Sequence, residues 1–186
     1  MGISEEEIKK VAEHYLIRCR PGDWYHALNV VKWVKILGKG RADLKLLISA
    51  AYIHDIGWFE LTSDKLLSFD DEMLKLEPKA NKNTEKRVRL ALEELKFEEK
   101  DVKTIIRLIG AADKHHSENG DEAILVDADS LSKLDAEHLI RKFKKTEIPH
   151  ILAKLEKEMP DWISTKKAKE LYPKMMKDLK KEINSI

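Results

Sequence analysis

Apolar residues along the chain recur at intervals of three and four, the spacing of helices that bury one face. Ser4, followed three residues later by Glu7, reads as a capping box, and it opens a first helix with Ile8, Val11, Ala12 and Tyr15 on one side. Arg20-Pro21-Gly22-Asp23 breaks the pattern. A second helix is predicted over about 24–37, ended by Gly38-Lys39-Gly40. A third starts near Ala42, runs to about Asp55 and stops at Gly57. The segment 58–83 is less regular, with a short helix around 70–76 closed by Pro78. Segments 84–95 and 99–112 read as helices, and Ser117-Glu118-Asn119-Gly120-Asp121 as a loop. Helices resume near Glu122 and again over 135–157; Pro160 breaks the pattern and Pro173 ends or kinks the last helix. No segment alternates with the period of a strand, and no internal repeat stands out. The expected fold is all-α, a compact helical bundle.

Composition narrows the classes. With 186 residues and 42% hydrophobic side chains, one domain can build a sizeable core. Charged residues make up 37%, but the net charge is only +1, so nothing argues generally for nucleic acid or acidic membranes as partners. The Lys-rich stretch 141–181 reads as the wet face of amphipathic helices. Cys19 is the single cysteine, which excludes an internal disulfide and suits a reducing cytoplasm. Residues 1–10 are acidic and polar, unlike a signal peptide, and no apolar run reaches the roughly 18 residues of a spanning helix. A homodimer is left open.

Several polar residues interrupt the apolar stripes. His26 shares its stripe with Val30, Trp33 and Leu37; His54 follows Leu47, Ala50 and Ala51; Asp129 follows Leu125 and Val126. Burying a carboxylate without a partner is costly. One divalent metal ion would resolve that cost for His26, His54, Asp55 and Asp129 together, and two imidazoles with two carboxylates suit Mn²⁺, Fe²⁺, Co²⁺, Ni²⁺ or Zn²⁺, with Mg²⁺ as a further candidate. Adjacent helical residues point about 100 degrees apart, so His54 and Asp55 can share an ion only near a helix end. Each residue alone has a plainer reading: a core histidine, a common dipeptide, an aspartate that caps a helix.

Three segments together resemble the HD-domain superfamily of metal-dependent phosphohydrolases. They are Asp23-Trp24-Tyr25-His26-Ala27-Leu28-Asn29-Val30-Val31, Ala50-Ala51-Tyr52-Ile53-His54-Asp55-Ile56-Gly57 and Ile124-Leu125-Val126-Asp127-Ala128-Asp129-Ser130-Leu131. The resemblance implies a bundle of the HD-domain type as a single HD-like domain over 1–186. Its motif-bearing core spans about 20–135, with a C-terminal helical extension over about 136–186. It implies His26, His54, Asp55 and Asp129 as the metal ligands, with Asp129 preferred to Asp127 because of the following Ser130-Leu131. It further implies hydrolysis of a small phosphorylated substrate, nucleotides being the leading class, with Asp55 orienting the attacking water. Phosphodiesterase or pyrophosphohydrolase action on a nucleotide, and a non-catalytic metal-containing regulatory module, are the alternatives.

Lys114-His115-His116 follows the stripe Ile105, Leu108, Ile109 and Ala112. Alone it is a basic helix C-terminus. Relatives often carry a histidine or a pair here near the substrate phosphate, so Lys114, His115 or His116 is expected to hold phosphate oxygens or to protonate a leaving group, with at least one of the two histidines taking part. Arg18 and Arg20 lie upstream within reach of a phosphate near His26, although the surrounding sequence does not match the relatives that use an arginine there. Two departures stand out. The segment 79–85 has no histidine, which argues for one ion rather than two. Trp58 stands where many relatives carry Lys or Glu, leaving Glu60, Lys114 or a histidine to do that residue's work. His14, His138 and His150 fall on polar or mixed positions and are expected at the surface, and Trp33 and Trp162 are expected to pack.

Overall fold

A computed structural model describes residues 3–62 and 65–185, and these contain helices and turns but no strand. Helix α1 spans Glu5–Leu16 and begins with the expected capping box: the Glu7 carboxylate accepts from the Ser4 amide at 2.8 Å, while the Ser4 hydroxyl accepts from the Glu7 amide at 3.3 Å. Helix α2 is Asp23–Leu37 and α3 is Leu44–Ile53. A 3₁₀ turn at Ile56–Trp58 follows, then a π-turn at Phe69–Met73 that runs directly into α4, Leu74–Glu94. Helices α5, Glu99–Asp113, and α6, Gly120–Ser132, complete the motif-bearing part. Then come α7, Ala136–Lys142, α8, Ile148–Trp162, and α9, Lys166–Ile183.

The layout is built around α6. Every residue from Glu122 to Ser132 is buried, and the helix packs against α2, α3, α5, α8 and α9. A helix that is covered all round has lost the amphipathic stripe and must lie inside the bundle. This explains how α6 can bring a carboxylate to the same point as α2 and α3.

The structure differs from the sequence reading in five places, and four of them have a local cause. The third helix ends at Ile53, and Gly57 lies in the turn beyond it. A Cβ at Gly57 would meet the Ala80 carbonyl oxygen at 2.4 Å, so its missing side chain lets α4 approach rather than stopping α3. Pro78 does not close a short helix; it sits inside α4, where burial of Ala80, Thr84, Val88, Ala91 and Leu92 carries the helix past it. Segment 135–157 is two helices, because Pro149 favours the first turn of a new helix and Phe143 turns extended to bury its ring beside Phe69. Pro160 is retained within α8: it removes the donor that would reach the Glu156 carbonyl, and the Tyr172 hydroxyl donates there instead at 3.1 Å. Pro173 likewise lies inside α9.

Asp127 is fully buried, and its two carboxylate oxygens accept from the backbone amides of Ser164 and Thr165 at 2.9 and 2.8 Å, tying the start of α9 to α6. Asp127→Ala should therefore cost about 2–3 kcal/mol of stability, by loss of charge-assisted bonds. Chemical denaturation checks this, and metal affinity should be unchanged.

Candidate metal centre

The ends of three helices bring the expected residues together. His26 lies in the first turn of α2, His54 is the cap residue of α3, Asp55 precedes the 3₁₀ turn, and Asp129 faces them from α6. Ligand atoms of His26, His54 and Asp55 lie within 4.8 Å of one another. Asp129 Oδ1 stands 2.9 Å from His26 Nε2 and 3.7 Å from His54 Nε2. Asp55 Oδ2 stands 3.6 Å from His54 Nε2 and 4.0 Å from His26 Nε2.

Whether these side chains suit a cation can be judged from their protons. His54 Nδ1 meets the Ala51 carbonyl at 2.9 Å, so that nitrogen carries the proton. In the neutral ring Nε2 is then the lone pair, and it is buried without a hydrogen-bond partner. His26 Nδ1 meets the Ser132 hydroxyl at 3.1 Å, and that hydroxyl also reaches the Asp129 carbonyl at 2.7 Å. A neutral imidazole and one hydroxyl have two protons for three contacts, counting His26 Nε2 to Asp129 Oδ1. A cation between His26 Nε2, His54 Nε2 and the carboxylates removes both deficits, with each outer ring nitrogen already held by a protein group. The donor set fits a divalent transition metal.

Electrostatics keep the carboxylates charged. Burial alone would raise the Asp55 carboxyl, but Arg20, followed by Lys142, overcomes this and holds it well below the usual carboxylate range. Arg20 reaches Asp55 Oδ1 at 2.7 Å, and Lys142 reaches Oδ2 at 3.4 Å. Both cations are also anchored by fully buried Asp23, at 3.0 and 2.8 Å. For Asp129, burial is overcome by Lys133, 2.8 Å from Oδ2, and by His26.

Around this point lies a cleft of about 280 Å³, near the lower end of small-molecule sites. Its charged lining comprises Arg20, Lys133, Lys142 and Lys154 against Asp55, Glu77, Asp113, Asp129 and Glu158. A divalent ion would turn that balance positive, as an anionic ligand requires. An apolar wall of Phe69, Met73, Phe143, Ile151, Leu155 and Trp162 faces the polar end.

The other expected residues separate. Of Lys114, His115 and His116, only His115 lines the cleft; Lys114 and His116 are exposed outside it. His115 adopts a left-handed backbone, φ 49°, and stacks on Trp162 at 4.1 Å between centroids, so Trp162 is part of the cleft as well as packing. Arg18 is directed away: it pairs with Glu60, itself half-exposed, and covers Phe59. Arg20 is the arginine inside the site. Its guanidinium lies 3.9 Å from the Trp58 ring, which gives Trp58 a specific place. His14 and His150 are exposed as expected. His138 is not: it is 3% exposed, with its ring 4.6 Å from that of His26, because the face of α7 carrying Leu139 and Lys142 turns inward.

Asp113, Lys133, His138 and Lys142 are site residues that the sequence pattern does not single out. Two have a readable signal: Asp113 continues the stripe through Ile109, and Lys133 lies four residues after Asp129, on the same helical face. Comparison with protein-family models, curated proteins and solved structures gives no match.

Three histidines, His26 and His138 buried and His115 partly buried, make the metal-free protein acid-sensitive. Burial pushes His26 down to about 4 and His138 well below its ordinary value, and Lys133, then burial, pushes His115 down to about 4. Below an unfolded value near 6.5 the unfolded chain binds the extra protons, so stability is lost as pH falls from about 6.5 to 4. Asp113 acts oppositely: burial and then Asp55 raise it to about 7, so its contribution is present below about 3.8 and lost as pH rises through 7. Three groups outweigh one. Metal-free protein should melt several degrees lower at pH 5 than at pH 7, and Asp113→Asn should widen the gap. A melting temperature flat across that interval would refute this account.

Proposed function

We propose that the protein is a metal-dependent phosphohydrolase of the HD-domain type, acting on a small phosphorylated metabolite, with nucleotides the leading class. The observation that carries this reading is His54 Nε2, a buried ring nitrogen without a hydrogen-bond partner, facing Asp55 and Asp129 at the floor of a cleft whose charged lining mixes cations and carboxylates. His26, His54, Asp55 and Asp129 would hold one ion. When bound, a divalent ion there supplies Lewis acidity to both a water and a phosphoryl oxygen.

The chain's own groups supply the remainder. Asp55, fixed through Oδ1 by Arg20, presents Oδ2 to accept a proton contact from the attacking water and so orients it. Lys142 and Lys133 offset charge developing on the phosphoryl oxygens. His115, neutral at pH 7, serves as a hydrogen-bonding group toward the ester rather than as an imidazolium. The apolar wall excludes water and receives the organic part of the substrate.

A second reading, a metal-containing binding module without turnover, is favoured by one observation. Trp58 occupies cleft wall beneath Arg20 and cannot exchange a proton.

The test is to purify the protein, measure bound metal, and screen phosphate monoesters, diesters and nucleotides with Mn²⁺, Co²⁺ or Ni²⁺. Turnover should appear with at least one metal and fall by at least about a hundredfold in Asp55→Ala. Metal uptake with no turnover across the panel would establish the binding module, and a protein with no metal affinity would sink both readings.

A further inference from the structure

The two oxygens of Asp129 face different neighbours. Oδ1 looks toward His26 and His54, the seat of the ion. Oδ2 lies 2.8 Å from Lys133 Nζ and 4.0 Å from His115 Nδ1. The carboxylate therefore bridges the metal seat and a second positive group that the protein itself provides.

Lys133 caps the C-terminus of α6, where a cation suits the helix dipole, and a plain i,i+4 ion pair with Asp129 would be its modest reading. Two observations go beyond that. The side chain is only 19% exposed and lines the cleft. An ammonium has three donors, yet among the described residues Nζ has one hydrogen-bond acceptor, Asp129 Oδ2; its other neighbour is the Trp162 ring, 5.5 Å away. Beside it, His115 Nδ1 is buried and has no hydrogen-bond partner. A buried ring nitrogen without a partner and a mostly covered ammonium with donors to spare therefore converge on the cleft next to the ion seat.

The other cations are differently occupied. Arg20 is held by Asp23 and Asp55, and Lys142 by the same pair. Lys154 lies over Phe69 in the apolar wall, and Lys114 is exposed outside the cleft.

We propose that Lys133, with His115 beside it, receives a phosphoryl oxygen of the ligand and acts as the second positive charge of a one-ion site. This rests on the metal-site reading above. A phosphoryl group carries the several acceptor oxygens needed to meet the ion, the ammonium and the His115 ring together. Lys133 takes the part that Lys114 was expected to play, because four residues along α6 from Asp129 lead back to the ligand face, whereas Lys114 turns outward.

The test is calorimetric titration of Mn²⁺-loaded protein with inorganic phosphate. Lys133→Met should weaken phosphate binding by about tenfold or more. Its Mn²⁺ affinity should be unchanged or tighter, because a like charge leaves Asp129. Lys114→Met should leave phosphate affinity unchanged. Thermal melts show whether Lys133→Met folds; if it does not, His115→Ala supplies the reading and should also weaken phosphate binding. Mn²⁺ uptake with no phosphate affinity, or with the same affinity in the folded Lys133→Met or His115→Ala protein, overturns this proposal alone. A protein that takes up no Mn²⁺ overturns the metal reading and this one with it.

Discussion

Two carboxylates, Asp55 and Asp129, stand against two buried imidazoles where α2, α3 and α6 meet, and much of the surrounding structure serves to keep them ionised. Burial of both would raise their pKa values and neutralise them. Arg20 and Lys142 hold Asp55, Lys133 holds Asp129, and the fully buried Asp23 holds the two cations nearest Asp55. This network also explains the position of α7: Lys142 enters from its last turn and crosses to residues of the α2 and α3 ends. Removing one member would leave a buried charge uncompensated, which is why such clusters form as units.

Much of the candidate ion site is legible from helical spacing. His26, His54 and Asp129 fall on apolar stripes, and a stripe fixes which way a side chain points relative to its own helix. Asp127 shows how far this goes. It is two residues from Asp129 and just as buried, yet it turns the opposite way to bond the backbone at Ser164 and Thr165. Spacing alone leaves both aspartates as claimants, and the fold assigns Asp127 to holding α9.

What spacing cannot supply is which helices meet. His138 sits in a short helix whose polar-looking positions turn inward only because α7 packs across α2. Lys142 belongs to a Lys-rich stretch that reads as solvated, although it is 6% exposed. The prolines depart from expectation for the same reason. Pro78 and Pro160 each remove a local donor, and whether a helix survives that loss depends on distant partners: the buried face of α4 in one case and the Tyr172 hydroxyl in the other. Local propensity is overridden wherever tertiary packing stabilises the helix by more than the lost bond costs.

Trp58 is the departure from the resembling family that the geometry accounts for best. A Lys or Glu at that position would bring its own charge beside Asp55. Trp58 instead packs its ring against Arg20, with the guanidinium carbon 3.9 Å from the ring centroid. A guanidinium covered on one face is less open to solvent screening, and Arg20 holds Asp55 from that covered position. The positive charge beside Asp55 then comes from Arg20, at the start of the motif-bearing segment, and from Lys142, beyond its end, with the Trp58 indole packed against the first of them.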